Sequence, residues 1–117
     1  MKDKVTIFHN PRCSKSREVL DLLEDSSCEV AVVEYLKDVP SSIELKKLVN
    51  LLGIKPEELI RKGEAEYKDH FKGKILSDQE WISAMVKYPK LIERPIVIHG
   101  NKAVIGRPTS KVIDLIK

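Results

Sequence analysis

Hydrophobic and polar positions follow one another in a pattern that predicts a βαβ unit at the start of the chain. Val5–Phe8 and Val30–Val33 are short apolar runs of the β-branched and aromatic kind that forms buried strands. Apolar residues at helical spacing lie between the two runs, at Val19, Leu20, Leu22 and Leu23. Ser14 is the residue expected to cap this helix. Because a helix connects the two strands, we expect them to be parallel.

The pattern of apolar residues in the middle of the chain predicts an inserted helical segment at about residues 41–90. Two capping boxes, each a Ser followed three residues later by Glu, begin at Ser41 and Ser77, and an apolar helical stripe follows each. Pro56 opens a further short helix. The charged stretch from Lys62 to Lys74 indicates a loop with at most one turn of helix.

The C-terminal part of the chain returns to strands. Ile96–Ile98 and Ala103–Ile105 flank a hairpin loop, and Thr109 or Ser110 then caps a last helix. The whole order is βαβ, a helical insert, and ββα. This order fits an α/β protein of thioredoxin-like fold, with a four-stranded mixed sheet and an inserted helical segment. Ferredoxin-like and other α/β sandwiches have a similar order and stay open at this point.

Length and composition indicate one globular domain over residues 1–117. Hydrophobic residues make up 42% and charged residues 33% of the chain, a balance that excludes global disorder. The net charge of +3 is too small for the basic stripe of a nucleic-acid-binding protein. No apolar run approaches the roughly 20 residues of a membrane span, and the start of the chain lacks a signal-peptide core. We therefore expect a cytoplasmic protein with no nucleic-acid or membrane partner.

The chain has only two cysteines, Cys13 and Cys28. They do not form a CxxC pair, and three scattered histidines do not complete a zinc pattern, so no metal site is expected. Cys28 lies in no motif and is interpreted as a buried structural thiol.

Cys13 is the residue best placed for chemistry, because it lies where the first strand ends and the first helix begins. Unpaired backbone N–H groups at a helix start favour a thiolate, and such a position lowers a cysteine pKa from about 8.5 to roughly 3.5–7.5. Arg17, one helical turn on, acts in the same direction, and His9 adds charge when protonated. Ser16 completes a CxxS sequence, whose hydroxyl cannot close a disulfide. Oxidised Cys13 would therefore need an external thiol.

The segment from His9 to Arg17 resembles the active-site loop of the glutathione- and glutaredoxin-coupled arsenate reductase (ArsC) family, and most of all its YfgD-like branch. Three further motifs of that family are matched in order along the chain, around Arg61, Arg94 and Arg107. The resemblance therefore extends over nearly the whole sequence.

This resemblance implies a thioredoxin-like fold with a cis peptide bond before Pro95. It implies that Cys13 is the catalytic nucleophile that attacks arsenate or a similar oxyanion. The residues implied to bind the oxyanion and its thiol adduct are Arg61, Arg94 and Arg107. The residues implied to support the nucleophile are His9, Asn10, Ser16 and Arg17. Glutathione is implied as co-substrate and glutaredoxin as the partner that recycles the enzyme, with no bound cofactor.

Several alternatives remain open at this point. Ser14 follows the cysteine where the best-known branch of the family has Gly. The related Spx-type proteins are regulators that bind RNA polymerase and usually carry a CxxC switch, which Ser16 removes here. A glutathione-linked thiol redox protein without arsenate turnover is the third reading. The residues alone also allow a surface ion pair for Arg61 and structural bracing for Arg94 and Arg107.

We predict that Cys13→Ser abolishes arsenate reduction and that Cys28→Ser largely keeps it, because only Cys13 lies at a helix start. The measurement is a coupled assay containing arsenate, glutathione, glutaredoxin and reductant. Comparable activity in the two variants would contradict a mechanism with a single nucleophile.

Overall fold

A four-stranded mixed sheet runs in the order β2-β1-β3-β4. The computed structural model describes residues 4–26, 28–106 and 109–116. The strands are β1 (Lys4–Phe8), β2 (Glu29–Val33), β3 (Ile96–His99) and β4 (Lys102–Ile105). β1 is parallel to β2 and antiparallel to β3, and β4 is antiparallel to β3. The predicted mixed sheet and the parallel βαβ pairing are thereby confirmed.

Helices of different lengths connect and flank these strands. They are α1 (Ser14–Asp25), α2 (Ser42–Leu52), α3 (Ala65–His70), α4 (Asp78–Lys87) and α5 (Ser110–Ile116), with short 3₁₀ turns at Pro56–Leu59 and Pro89–Leu91. None of the helices in the described residues is long and apolar enough to cross a membrane.

Both predicted capping boxes are present. Ser41 accepts a hydrogen bond from the Glu44 amide at 3.2 Å, and the Glu44 carboxylate accepts one from the Ser41 amide at 3.2 Å. Ser77 and Glu80 repeat the arrangement at 3.2 and 3.0 Å. α2 ends at Gly53, whose φ of 69° lies in the left-handed region that glycine adopts without strain. These helix ends are set by local hydrogen bonds.

The six-residue helix α3 corrects the prediction of a loop with at most one turn of helix between Lys62 and Lys74. Aromatic contacts explain the difference. The rings of Tyr67 and Phe71 lie 6.4 and 5.9 Å from that of Trp81 in α4. The charged composition of the segment gives no indication of these contacts, because their partner Trp81 lies in α4, outside the segment.

The chain divides into two compact units, the first formed by Met1–Asp38 with Arg94–Lys117 and the second by Val39–Glu93. The first contains the sheet, and one face of that sheet carries its apolar core. The core residues are fully buried and come from β1, β3, α1 and α5: Val5, Ile7, Val97, Val19, Leu23 and Val112. α1 and α5 therefore pack on the same face. The peptide bond between Arg94 and Pro95 is cis, which confirms the expectation.

The second unit has a core of its own, built by α2, α4 and the 3₁₀ turns. Its fully buried members include Leu45, Leu59, Met85 and Leu91. An isolated antiparallel bridge joins Ile60 to Ile92.

Gly106, which follows β4, sits where no side chain fits. Its amide donates to the Pro95 carbonyl at 2.8 Å. A methyl group on Gly106 would lie 2.9 Å from Pro95 Cγ, 3.1 Å from Val19 Cγ2 and 3.2 Å from Val112 Cγ2. The absence of a side chain lets the end of β4 lie against α1, α5 and the proline.

We predict that Gly106→Ala lowers the free energy of unfolding by about 1–3 kcal/mol, because the added methyl overpacks this contact. Gly63→Ala is the matched control, since no atom lies within 4 Å of its added methyl. Urea denaturation followed by circular dichroism measures both. Equal stability of the two variants would show that the contact at Gly106 relaxes without cost.

Candidate active site

A turn at the end of β1 presents Cys13. The Cys13 amide donates to the Asn10 carbonyl at 3.0 Å, and the Arg12 amide donates to Asn10 Oδ1 at 3.0 Å. Asn10 and Pro11 are residues that favour the start of such a turn. The Asn10 side chain is buried, so the turn is anchored in the protein while Cys13 itself stays partly exposed.

Cys13 is the N-cap residue of α1, with φ −97° and ψ 123°. Its carbonyl accepts from the Arg17 amide at 3.0 Å, and the amides of Lys15 and Ser16 favour its sulfur as a thiolate. The prediction that Ser14 caps the helix was wrong. The turn that begins at Asn10 ends at Cys13, so Ser14 is already the first residue of the helix and Cys13 is its N-cap. The sulfur therefore takes the place that a capping oxygen usually occupies.

The Arg94 side chain hydrogen-bonds Cys13. Burial acts to raise the pKa of the Cys13 thiol, but the Ser16 amide and the Arg94 guanidinium outweigh it, so the pKa lies below its ordinary value. Burial likewise acts to lower the pKa of Arg94, and the contact with Cys13 more than offsets this, so that pKa is raised. The lowered pKa favours the thiolate form of Cys13, and the guanidinium beside it carries a positive charge.

The sheet explains why these two residues meet. Phe8 at the end of β1 lies opposite Ile96 at the start of β3. Cys13 follows the first of these strands, and Arg94 precedes the second. An antiparallel pairing brings the carboxyl end of one strand to the amino end of its neighbour.

Tyr35 is a site residue that the sequence analysis missed. It is 0% exposed, and its side chain interacts electrostatically with that of Arg94. It follows β2 by two residues, at the edge where β1 ends, and the His9 amide donates to the Val33 carbonyl at 2.8 Å. The sequence did contain a signal for Tyr35. The carboxyl ends of two parallel strands meet at one edge of a sheet, and the residues that follow each strand place their side chains at that edge.

Ser16 and His9 form a buried network beneath the cysteine. Ser16 is 0% exposed, accepts from the Asn10 amide at 3.0 Å and lies 2.7 Å from His9 Nδ1. Burial lowers the pKa of His9. The lowered pKa disfavours the protonated form of His9, in which its ring would add charge near Cys13.

The remaining predicted residues lie in different surroundings. Arg61, in the second unit, forms ion pairs with Glu64 at 3.5 Å and Glu93 at 3.4 Å. Arg17 has an exposed side chain on α1. Arg107 lies outside the described residues.

Cys28 and Cys13 are both free thiols. Cys28 is only partly buried against the core of the first unit, which corrects the expectation of a buried thiol. It lies just before β2, where the chain enters the sheet. Residues 4–26, 28–106 and 109–116 contain no cluster of three or more His, Cys, Asp or Glu side chains that could hold a metal ion. The described chemistry is that of a cysteine with a lowered pKa beside a guanidinium.

Comparison with known proteins extends over almost the whole chain. The sequence is 44% identical over 118 residues to the protein YfgD of Escherichia coli (strain K12), covering 99% of each chain. It is 40% identical over 114 residues to an arsenate reductase of Haemophilus influenzae, covering 96% of this chain and 98% of that one. The solved structure of an arsenate reductase from Vibrio cholerae matches with a TM-score of 0.94 and 43% identity over 100% of both chains.

These matches confirm the resemblance read from the sequence and the thioredoxin-like fold, and they exclude the ferredoxin-like alternative. The profile of the ArsC family matches residues 8–115. The chain belongs to the ArsC family.

Proposed function

We propose that this protein is an arsenate reductase that uses Cys13 as its single nucleophile and glutathione and glutaredoxin as its reductants. The observation that carries the proposal is the contact between Cys13 and Arg94 at the start of α1. A thiolate is the reactive form of cysteine, and a guanidinium beside it suits an oxyanion with several acceptor oxygens. The names of the relatives from Haemophilus influenzae and Vibrio cholerae support arsenate as that oxyanion.

In the first step, the Cys13 sulfur attacks arsenic(V) and a sulfur–arsenic bond forms. One arsenate oxygen leaves as water after taking up protons. Arg94 stabilises the charge on the remaining oxygens with N–H donors in a planar arrangement.

In the second step, glutathione attacks the Cys13 sulfur. The sulfur–arsenic bond breaks and its electron pair stays on arsenic, which leaves as arsenite in the arsenic(III) state. The two electrons come from the two sulfurs, which end as a mixed disulfide of Cys13 with glutathione. Glutaredoxin then takes the glutathione and restores the thiol.

Two residues make an external thiol necessary in this scheme. Ser16, at the CxxS position, has no sulfur, and its hydroxyl bonds to the Asn10 amide and lies against His9. Cys28 lies beyond α1, whose 12 residues correspond to about 18 Å. A disulfide needs Cα atoms within about 7 Å. Cys13 and Cys28 therefore could not join without unwinding α1.

Arg61 and Arg107 are proposed as further oxyanion-binding residues because their motifs match the family. Arg61 has two carboxylates beside it in the second unit, so it would have to exchange an ion pair for the substrate. We assign Arg94 the larger part in binding the oxygens, because its partner in the structure is the nucleophile itself.

The test of this function combines turnover with intact mass. We expect wild-type protein to turn over arsenate repeatedly only when glutathione and glutaredoxin are both supplied, and to stop after one turnover when glutaredoxin is omitted. With glutaredoxin omitted, wild-type chains should each gain one glutathione, and Cys13→Ser chains none. A loss of two hydrogens, with a crosslinked peptide joining Cys13 to Cys28, would refute the mechanism. Glutathione uptake at Cys13 without arsenate turnover would identify a thiol redox protein instead.

We predict that Arg94→Lys lowers kcat/KM for arsenate by about tenfold or more, equivalent to about 1.4 kcal/mol, although the charge is kept. A lysine ammonium cannot make a two-pronged contact with an oxyanion. Arg12→Lys is the matched control, since the Arg12 side chain is exposed and its amide alone takes part in the turn. Steady-state kinetics with arsenate measure both, and unchanged kinetics in Arg94→Lys would show that Arg94 acts through charge alone or not at all.

A further inference from the structure

Two carboxylates of the second unit contact the Arg61 guanidinium. Its Nε lies 3.5 Å from Glu64 Oε1, and its Nη1 lies 3.4 Å from Glu93 Oε1. The side chains of Arg61, Glu64 and Glu93 are only 23%, 26% and 28% exposed. Water and salt therefore screen these charges less than they screen the charges of a fully exposed ion pair.

Main-chain hydrogen bonds place both carboxylates beside the arginine. The Arg61 amide donates to the Leu91 carbonyl at 2.7 Å, and the Glu93 amide donates to the Leu59 carbonyl at 2.9 Å. These two bonds flank the isolated antiparallel bridge of this unit, whose two isoleucines are buried. On the other side of the arginine in the sequence, the Glu64 amide donates to the Arg61 carbonyl at 3.2 Å in a turn. The carboxylates are thus built into the backbone geometry of the segment.

The two contacts engage both edges of the guanidinium that can bind an oxyanion. A planar guanidinium offers paired N–H donors along its Nε–Nη2 edge and along its Nη1–Nη2 edge. Glu64 lies at Nε, in the first edge, and Glu93 lies at Nη1, in the second. A tetrahedral oxyanion therefore gains a two-pronged contact with Arg61 only where one of these carboxylates gives way.

The ion pairs are close enough to compete with an anion and long enough to be displaced by one. Optimal charge-assisted N–H···O bonds measure about 2.7–2.9 Å, which is shorter than either distance at Arg61. The formal charges of the three side chains add up to −1. An arginine alone attracts an anion, whereas an arginine with two carboxylates repels it at longer range.

We propose that Glu64 and Glu93 are affinity-determining residues that compete with the substrate oxyanion for the donors of Arg61. This inference rests on the function proposed above, in which Arg61 binds the oxyanion. The carboxylates weaken the binding of tetrahedral oxyanions at Arg61, and neutralising either carboxylate strengthens it.

The test replaces each carboxylate by an amide of the same shape, in Glu93→Gln and Glu64→Gln. The probe is inorganic phosphate, a tetrahedral oxyanion that thiols do not reduce, and NMR titration gives dissociation constants up to the millimolar range. We expect each variant to lower the dissociation constant for phosphate about threefold, because one edge of the guanidinium loses its charged competitor. Glu66→Gln is the matched control. It changes the net charge equally, and Glu66, in α3, forms no ion pair with any residue that the structure describes.

A double-mutant cycle with Arg61→Ala separates competition at Arg61 from a general effect of charge. Arg61→Ala should weaken phosphate binding, and Glu93→Gln should bring no gain when it is added to Arg61→Ala. An equal gain in both backgrounds would overturn the proposal, because it would come from net charge alone. Phosphate binding that stays at the wild-type level in both Glu93→Gln and Glu64→Gln would overturn it too, and the ion pairs would then serve stability only.

Arsenate kinetics keep the two proposals distinguishable. Glu93→Gln should lower KM for arsenate about threefold and leave kcat nearly unchanged, because the competition acts on binding. If wild-type protein does not turn over arsenate, the function proposed above fails, and an Arg61-dependent gain in phosphate affinity still supports the competition. If wild-type protein turns over arsenate and Glu93→Gln leaves KM unchanged, the competition fails and the function stands.

Discussion

The hydroxyl of Ser16 ties the chain leaving β1 to the first turn of α1. It accepts the Asn10 amide and lies against His9 Nδ1, with no exposure to solvent. These contacts fix the residue at which the helix begins, and therefore which residue becomes its N-cap. Because that residue is Cys13, the orphan amides of the helix start act on a sulfur and not on a hydroxyl. The low thiol pKa thus originates in buried hydrogen bonds next to the cysteine.

At this site the partner of each charged group matters as much as the number of charges. The Cys13 sulfur and the Arg94 guanidinium lie beside one another, and each shifts the pKa of the other towards its charged form. Arg61 is surrounded differently, because it pairs with two carboxylates, which would compete with an anionic ligand.

Local signals were read from the sequence more successfully than contacts between distant segments. The capping boxes at Ser41 and Ser77 involve neighbours three residues apart, so the pattern contains all the chemistry needed. The helix start near Cys13 was also located, but its cap was assigned to Ser14 because the buried turn before it leaves no periodic signal. Tyr35 was missed for a related reason. Its place depends on the pairing of β1 with β2, and the sequence analysis did not extend that predicted pairing to the residues that follow β2.

The central pairing of β1 with β3 joins Phe8 to Ile96, about ninety residues later in the chain. Closing so long a loop has an entropic cost. The segment Val39–Glu93, which lies between β1 and β3 in the sequence, has its own capping boxes and its own core. Local contacts favour early order in that middle segment and late completion of the sheet. Cys13 follows β1 and Arg94 precedes β3, so a chain in which these strands have not paired would lack the guanidinium beside its thiol. The pairing of β1 with β3 thus completes the sheet and also brings Arg94 to the cysteine.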